Sequence, residues 1–214
     1  MIPAPTVIVR MEEAMSFLCA HFLHALKFSV WGYSFMNTNV RRLVYLAVFC
    51  AVSVALIYLI HLPIFPSAPF LEYDPADIPL MIATFMFGPL WGLAATAAAS
   101  FIQACTVSSG SGVIGFFMHV FATGAYVIVA GLLYQRMGKG LRATIVSLAV
   151  ASLVAVAVMI PLNLIFTPMY GTPIDVVKSM MWPVIVPFNL IKFGINSVLT
   201  AVVYRSVRYA IRKR

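Results

Sequence analysis

The sequence predicts an all-α integral membrane protein, and three observations lead to that class. Of its 214 residues, 63% are hydrophobic and only 9% are charged. The mean hydropathy is +1.01, which means more apolar side chain than a soluble domain of this length can bury. The apolar residues also form long runs, and basic residues cluster at alternate ends of these runs. Lipid must therefore act as part of the solvent.

Residues 1–40 are predicted to be a separate N-terminal extension, and residues 41–214 the membrane domain. Polar residues recur in the extension every three to four positions, and apolar residues fall on the opposite side: Met15, Leu18, Phe22 and Leu26. This pattern predicts an amphipathic helix that lies on the membrane surface. The alternative is a seventh membrane span, which would have to carry His21, His24 and Lys27.

Six apolar segments of the membrane domain are predicted to be transmembrane helices. Most of them reach the roughly 20 residues needed to cross about 30 Å of hydrocarbon. The second is short, and the sequence GPLWG at 88–92 joins it to the third as a tight helical hairpin. The predicted helices cover residues 43–61, 78–88, 90–107, 113–135, 143–166 and 184–207.

The net charge of +8 is distributed as in a membrane protein rather than as in a nucleic-acid-binding protein. Arg41 and Arg42 precede the first segment, three basic residues separate the fourth from the fifth, and five more end the chain. Because basic loops stay in the cytoplasm, both ends of the six-helix unit are predicted to be cytoplasmic. The loops at 62–77, 108–112 and 167–183 then face outside.

Ala47, Ala51 and Ala55 recur every four residues in the first segment, and we call them the alanine stripe. Such a stripe lets another helix approach closely in lipid. That helix belongs either to a partner protein or to this chain, and the spacing favours neither. No GxxxxGK[ST] motif occurs, so the chain does not hydrolyse ATP in the P-loop manner. Uphill transport by this chain would need a partner.

Polar groups inside the apolar segments are functional candidates by default, because burying them in lipid is costly. Lys192 is the only Lys or Arg well inside an apolar segment of the membrane domain, and Asn189 and Asn196 share its helical face. Other polar groups are predicted at a similar depth: Gln103, His119 and Asn163. Together they predict a pocket open to the outside. Hydrogen bonding between helices is the alternative for each amide.

The sequence FLEYDPADIP at 70–79, which we call the acidic loop, contains half of the six acidic residues. Its prolines restrict the backbone, so it is predicted to form a stiff lid across the pocket. Asp77 precedes Ile78-Pro79 and suits a helix N-cap. Glu72 and Asp74 are predicted to contact either the solute or Lys192.

The acidic loop followed by FGPLWG resembles the vitamin-binding S components of energy-coupling-factor (ECF) transporters. PFNLIKFGINSVLTAVVYR at 187–205 is similar to the last helix of the riboflavin-binding branch, and GVIGFFMHVFATGAYVIVAGLLYQR at 112–136 to its fourth helix. The resemblance spans about residues 42–208 and leaves the extension unmatched. It implies a multi-pass protein of the bacterial plasma membrane that captures riboflavin as its transported ligand and needs no cofactor.

The resemblance also implies partners, and it makes the chain a binding subunit rather than an enzyme. The family docks on a transmembrane coupling subunit (T component) that two cytoplasmic ATPases drive, and the alanine stripe resembles its docking contact. Asn163, Asn189 and Lys192 look like positions that hold the flavin. The predicted substrate-binding set is Leu71, Glu72, Tyr73, Asp74, Gln103, His119, Asn163, Asn189 and Lys192.

The chemistry of these residue types agrees with a flavin. An Asn amide can both accept and donate along the pyrimidine edge of the ring, and a lysine ammonium can donate to a flavin carbonyl. Flat apolar walls for the ring are available from aromatic residues: Phe70, Tyr73, Tyr170 and Trp182. Two residues depart from the family that the sequence resembles. Gln103 stands where a Lys or another polar residue is expected, and His119 stands where Asn is common. The alternatives are an S component for another vitamin and a membrane-embedded enzyme or scaffold.

Overall fold

The structure is a computed structural model, and the residues that it describes are 38–60, 62–65, 71–107 and 112–212. The amphipathic helix predicted for the extension lies outside the described residues. Only the last three residues of the extension, 38–40, are described. Those three form the first turn of the first described helix, so the helix begins earlier than the sequence predicted.

The described residues are almost entirely helical. The helices are α1 (Thr38–Leu59), α2 (Asp77–Phe87), α3 (Pro89–Cys105), α4 (Gly112–Arg136), α5 (Leu141–Phe166), α6 (Ile174–Met180) and α7 (Val186–Arg212). A 3-10 turn (Thr167–Tyr170) follows α5, and a π-helical segment (Met181–Ile185) joins α6 to α7. Each of the six predicted segments is thus helical, with bounds close to those predicted.

Four stretches among the described residues are long and apolar enough to cross a membrane. They are α1, α4 and the extended runs Leu141–Tyr170 and Ile174–Ser206. α2 has 11 residues and α3 has 17, so each is shorter than a perpendicular span requires. The protein is a helical membrane protein, whereas six crossings and cytoplasmic ends stay predictions.

The segment 167–183 is not the loop that the sequence predicted. Most of it is helical. Val177 and Met181 begin an apolar pattern at helical spacing that continues with Ile185 and Phe188, and these four residues belong to one buried cluster. Pro173 stands at the N-cap of α6, where it interrupts no helical hydrogen bond, and Pro183 lies in the π-helical segment.

The helix α2 is the centre of the bundle and packs against α1, α3, α4 and α7. Every residue from Asp77 to Phe85 is buried. Gly88 then turns the chain with φ of +104°, a conformation that favours glycine, and Pro89 begins α3. A Cβ at Gly92 would collide with the side chain of Thr84. The hairpin predicted from GPLWG is confirmed.

A short β-ribbon interrupts the all-α architecture between α1 and α2. Leu62–Pro63 pairs antiparallel with Glu72–Tyr73, with Leu62 opposite Tyr73. Leu71, next to the ribbon, packs into the apolar cluster of α6 and the start of α7. The acidic loop is therefore held in place by the ribbon pairing of Glu72 and Tyr73 and by the packing of Leu71.

The bundle carries large apolar side chains on its outer surface as well as in its core. Leu153, Val198 and Trp182 are 62%, 64% and 73% exposed, far more than is usual for such residues in a soluble protein of this size. These faces suit contact with lipid tails, and they agree with the membrane class predicted from hydropathy.

Candidate functional site

A cavity of about 490 Å³ lies between the acidic loop and the helices α4, α5 and α7. This volume is in the range of sites for small molecules. The residues of the predicted set that line it are Leu71, Glu72, His119, Asn163, Asn189 and Lys192. Its other walls come from apolar and hydroxyl side chains, among them Met118, Thr123, Met159, Tyr170, Phe188 and Phe193.

Helical spacing explains why these side chains converge. Gly115, His119 and Thr123 are four residues apart on α4, so they share one face. Met159 and Asn163 have the same relation on α5. Asn189 and Lys192 lie three residues apart on α7. Three helices thus each present one polar face to the same space, and the acidic loop contributes Leu71 and Glu72 to its wall.

Lys192 forms an ion pair with Asp74, at 2.7 Å between Nζ and Oδ2. The two side chains are only 15% and 7% exposed. Asp74 also accepts a hydrogen bond from the backbone N–H of Ala76, at 3.1 Å. Burial by itself would raise the pKa of Asp74, but the ammonium of Lys192, the nearby His119 and the hydrogen bonds from Lys192 and Ala76 together lower that pKa below its ordinary value. The predicted contact between Asp74 and Lys192 is confirmed.

Asn196 ties the acidic loop to α7. Its Nδ2 donates to the backbone carbonyl of Asp74 at 3.2 Å and to Oδ2 of Asp77 at 3.1 Å. Its Oδ1 accepts a hydrogen bond from the hydroxyl of Tyr73 at 3.0 Å. Burial, and then the nearby carboxylates, raise the pKa of Tyr73 well above its ordinary value. Tyr73 and Asp74 therefore hold the loop and do not line the cavity.

The interpretation of Asp77 as a helix N-cap is wrong. The residue before α2 is Ala76, with no side-chain capping bond, and Asp77 is a fully buried carboxylate inside the first turn. It accepts hydrogen bonds from Thr123 Oγ1 at 2.9 Å and from Asn196. A buried charge needs such donors, and the packing of α2 against α4 and α7 supplies them.

His119 connects this carboxylate to the cavity. Ser100 Oγ lies 2.7 Å from the carbonyl oxygen of Thr96 and forms a hydrogen bond with Nδ1 of His119, 2.8 Å away. His119 Nε2 lies 3.6 Å from Asp77 Oδ1 and is buried without a hydrogen-bond partner among the described residues. That atom is available to a polar group of a ligand. We call Asp74, Asp77, His119, Lys192 and Asn196 the polar network.

Asn163 and Asn189 bond within their own helices. Asn163 Nδ2 donates to the carbonyl of Met159 and Asn189 Nδ2 to that of Ile185, both at 2.8 Å. The alternative of hydrogen bonding between helices therefore does not describe these two amides. It describes Asn196, which sequence reasoning placed on the right face but did not include in the site.

Gln103 lies apart from the cavity. Its Nε2 donates to Ser53 Oγ at 3.4 Å, and Ser53 Oγ donates to the carbonyl of Ala76 at 2.8 Å. This chain of contacts braces α3 against α1 and the acidic loop. Of the predicted aromatic walls, only Tyr170 lines the cavity, whereas Trp182 is 73% exposed and Phe70 lies outside the described residues.

The alanine stripe faces away from the described bundle. Ala47 and Ala51 are exposed and Ala55 is half-buried. Internal packing by the described helices therefore does not explain the stripe.

Over all the described residues, no group of three or more His, Cys, Asp or Glu side chains could hold a metal ion.

Comparisons with known proteins agree on one family. Residues 41–204 match the family model described as the substrate-specific component of ECF transporters. The riboflavin transporter RibU of Streptococcus thermophilus is 29% identical over 194 residues, which cover 86% of this chain and 90% of that protein. RibU of Staphylococcus aureus is 25% identical, with 81% and 93% covered. A solved structure of the S component of a bacterial ECF transporter superposes with a TM-score of 0.71 at 26% identity, covering 83% of this chain and all of that one.

Proposed function

Because the chain belongs to the family of substrate-specific (S) components of ECF transporters, we propose that it captures riboflavin for an ATP-driven importer in a bacterial plasma membrane. The observation that carries the proposal is the cavity, where Asn163, Asn189 and Lys192 meet beneath Leu71 and Glu72. Relatives named as riboflavin transporters support the choice of vitamin.

The lining suits a flat ring that has one polar edge. Phe188, Phe193, Met118 and Met159 provide apolar and polarisable surface, which favours an aromatic tricycle. The amides on α5 and α7 stand where a ring edge with alternating acceptors and a donor can be bound. Each amide uses one N–H on a backbone carbonyl, and Asn163 Oδ1 also accepts from Thr167 Oγ1 at 3.1 Å. The groups that we assign to the ligand are the second N–H of each amide, the oxygen of Asn189 and the remaining lone pair of the Asn163 oxygen.

Lys192 serves two partners in this proposal. An ammonium has three N–H donors, and one of them goes to Asp74. The Asp74 carboxylate keeps the ammonium charged and fixed at the cavity wall, so a second donor can reach a flavin carbonyl without a conformational search. Nε2 of His119 is the additional contact that we assign to a ligand hydroxyl or ring nitrogen.

Transport requires subunits that this chain does not contain. We propose that the alanine stripe docks on a transmembrane coupling subunit (T component), and that two cytoplasmic ATPases drive release. Small exposed residues on α1 allow the close helix contact on which association in lipid depends. The acidic loop acts as the outer lid, with Glu72 at its exposed edge.

Purified full-length protein tests the proposal. It should carry flavin absorbance or, once stripped, quench the fluorescence of added riboflavin in a saturable titration. Asn189→Ala should weaken binding by about 1–3 kcal/mol, because it leaves a buried ligand group unpaired. Leu190→Ala is the matched control, since its parent side chain is 45% exposed and does not line the cavity. Colourless protein that fails to quench riboflavin would refute the assignment, and binding of another vitamin would identify the correct branch.

A further inference from the structure

A second cavity, of about 510 Å³, lies at the other end of α7. We call it the basic cavity, and its lining is Leu141, Thr144, Ala201, Tyr204, Arg205, Ser206 and Arg208. Arg205 follows Lys192 by 13 positions on the same helix, which corresponds to about 20 Å along its axis. The basic cavity is therefore separate from the cavity proposed to bind riboflavin, which we call the riboflavin cavity, and the two share no lining residue.

The basic cavity has positive charge without a counter-charge among the described residues. Among the described residues, the carboxylates that form ion pairs are Asp74, Asp77 and Asp175, with Lys192, His119 and Lys178 as their partners. None of these residues lines the basic cavity. Glu72 lines the riboflavin cavity. In the part of the chain that the structure describes, no carboxylate lies within 4 Å of either Arg205 or Arg208.

The hydroxyl groups of the basic cavity have other partners, so the guanidinium groups are its main donors. Thr144 Oγ1 donates to the carbonyl of Gly140 at 3.1 Å, and Ser206 Oγ to that of Val202 at 3.4 Å. The hydroxyls of Tyr204 and Tyr134 bond to each other at 2.8 Å. Two arginines three positions apart lie on one helical face, and their planar forks match the oxygens of a phosphate.

Apolar surface borders the basic cavity on both helices. Leu141 and Ile145 on α5 are 49% and 53% exposed, and Val198 and Val202 on α7 are 64% and 59% exposed. Each pair is four residues apart, so each forms a continuous apolar strip that leads away from the arginines. A ligand with one anionic phosphate and long apolar chains matches both the arginines and the strips.

We propose that the basic cavity binds the phosphate headgroup of an anionic phospholipid, with the acyl chains along the strips of α5 and α7. Basic pockets between membrane helices are known to select such headgroups. The bound lipid would supply the counter-charge that the described residues lack. Arg205 and Arg208 contact the phosphate, and Leu141 contacts the start of an acyl chain.

Native mass spectrometry of the full chain with phosphatidylglycerol and with phosphatidylcholine tests this site. We expect one saturable phosphatidylglycerol molecule per chain, bound at least tenfold more tightly than phosphatidylcholine. The double variant Arg205→Gln/Arg208→Gln should lose that preference. Arg41→Gln/Arg42→Gln is the control, because it removes the same charge from two exposed positions on α1 and should keep the preference.

Three outcomes would overturn the proposal. Equal loss in the Arg41/Arg42 control would mean diffuse attraction of a basic surface. Displacement of the lipid by millimolar inorganic phosphate would mean a site for a small anion. Equal binding of both lipids by the wild-type protein would mean no headgroup selection.

Riboflavin quenching should be unchanged in the Arg205/Arg208 variant, which also checks that the variant is folded. A misfolded double variant is replaced by Arg205→Lys, which keeps the charge but loses the planar fork and should weaken the preference partially.

Discussion

At its first residue α2 meets charged and amide groups, whereas in its last turn it packs against Gly92 and against the aromatic rings of Tyr134 and Tyr204. Asp77 begins the helix within the polar network, where Thr123 and Asn196 donate to its carboxylate. At the other end Gly92 of α3 touches the side chain of Thr84 so closely that a Cβ would not fit. One helix of 11 residues is thus held by hydrogen bonds at one end and by close packing at the other.

The difference agrees with the proposed position of the binding site. Polar groups that satisfy one another can be rearranged by a ligand that offers equivalent partners, whereas a close steric contact offers a ligand nothing. The riboflavin cavity adjoins the polar network, and no residue of the glycine contact lines it. Substitutions that damage each end should therefore differ both in size and in their effect on binding.

The largest effect is expected from Lys192→Met, which removes the cation of the network and preserves bulk. It leaves Asp74 buried without a counter-charge, and breaking a buried ion pair in this way costs about 3–5 kcal/mol. Riboflavin binding should be lost as well. Thermal unfolding in detergent, followed by circular dichroism, and fluorescence titration give the two readouts. A variant with the stability and affinity of the wild type would show that the ion pair is dispensable.

A double variant and an acid titration sharpen the result. Asp74→Asn/Lys192→Met removes both charges and should regain most of the stability but not the binding. Because the pKa of Asp74 is lowered in the folded protein, the stabilisation from the pair is complete above the ordinary aspartate pKa of about 3.9. It is lost as the pH falls through the lower folded value. The double variant should lack this loss.

Asn196→Ala should have the next largest effect on stability. It deprives the carboxylate of Asp77, the carbonyl of Asp74 and the hydroxyl of Tyr73 of a partner. At about 1–3 kcal/mol for a buried group left unsatisfied, and allowing for relaxation, we expect a loss of about 2–4 kcal/mol. The control is Asn189→Ala, which removes one bond within its own helix and should reduce stability by less than 1 kcal/mol. Equal losses would mean that Asn196 does not fasten the loop.

Much of the fold could be predicted from the sequence, because hydropathy and charge are local signals. The helices followed from composition and the hairpin at Gly88 from turn chemistry. The cost of charge in lipid gave Asp74 as one of two candidate carboxylates for Lys192. The helix α6 was missed because it has only 7 residues, IDVVKSM, and three of them are polar or charged.

The polar network could be predicted only in part. The sequence predicts a helix cap for Asp77, and only the packing of α2 against α4 and α7 shows which donors reach its carboxylate. Gln103 has the right depth for a ligand contact, but it lies on the side of α3 that faces Ser53. Depth follows from position in the chain, whereas the direction of a side chain between helices depends on rotations that one sequence does not specify.

At the other end of α2, Gly92→Ala should reduce stability by about 1–3 kcal/mol, the usual cost of overpacking. The new Cβ would lie 2.9 Å from Thr84 Cβ and 3.2 Å from its Cα, and the backbone atom cannot move aside as a flexible side chain would. Gly194→Ala on α7 is the matched control. Its Cβ would meet no heavy atom within 4 Å, so the higher helix propensity of Ala should stabilise by about 0.5–1 kcal/mol. Riboflavin affinity measured on folded Gly92→Ala should stay within twofold of the wild type. A large loss of affinity would show that the two ends of α2 are coupled.

The smallest effect on folding and binding, and the largest on transport, is expected from Ala51→Trp. The side chain at this position is exposed on α1 and is not covered by any described helix, so the unfolding temperature and the riboflavin affinity should be nearly unchanged. Docking of a coupling subunit needs small residues at the contact, because close packing drives helix association in lipid. An indole in the middle of the alanine stripe holds the two helices apart, and co-purification of the coupling subunit and vitamin uptake by cells should both fail.

The control is Leu43→Trp, four positions before the stripe on the same helix. Its parent side chain is already large and is 55% exposed, so this variant should preserve both co-purification and uptake. If Ala51→Trp instead lost riboflavin binding, the stripe would contribute to the folded bundle, and a folded variant with normal uptake would place the docking surface elsewhere.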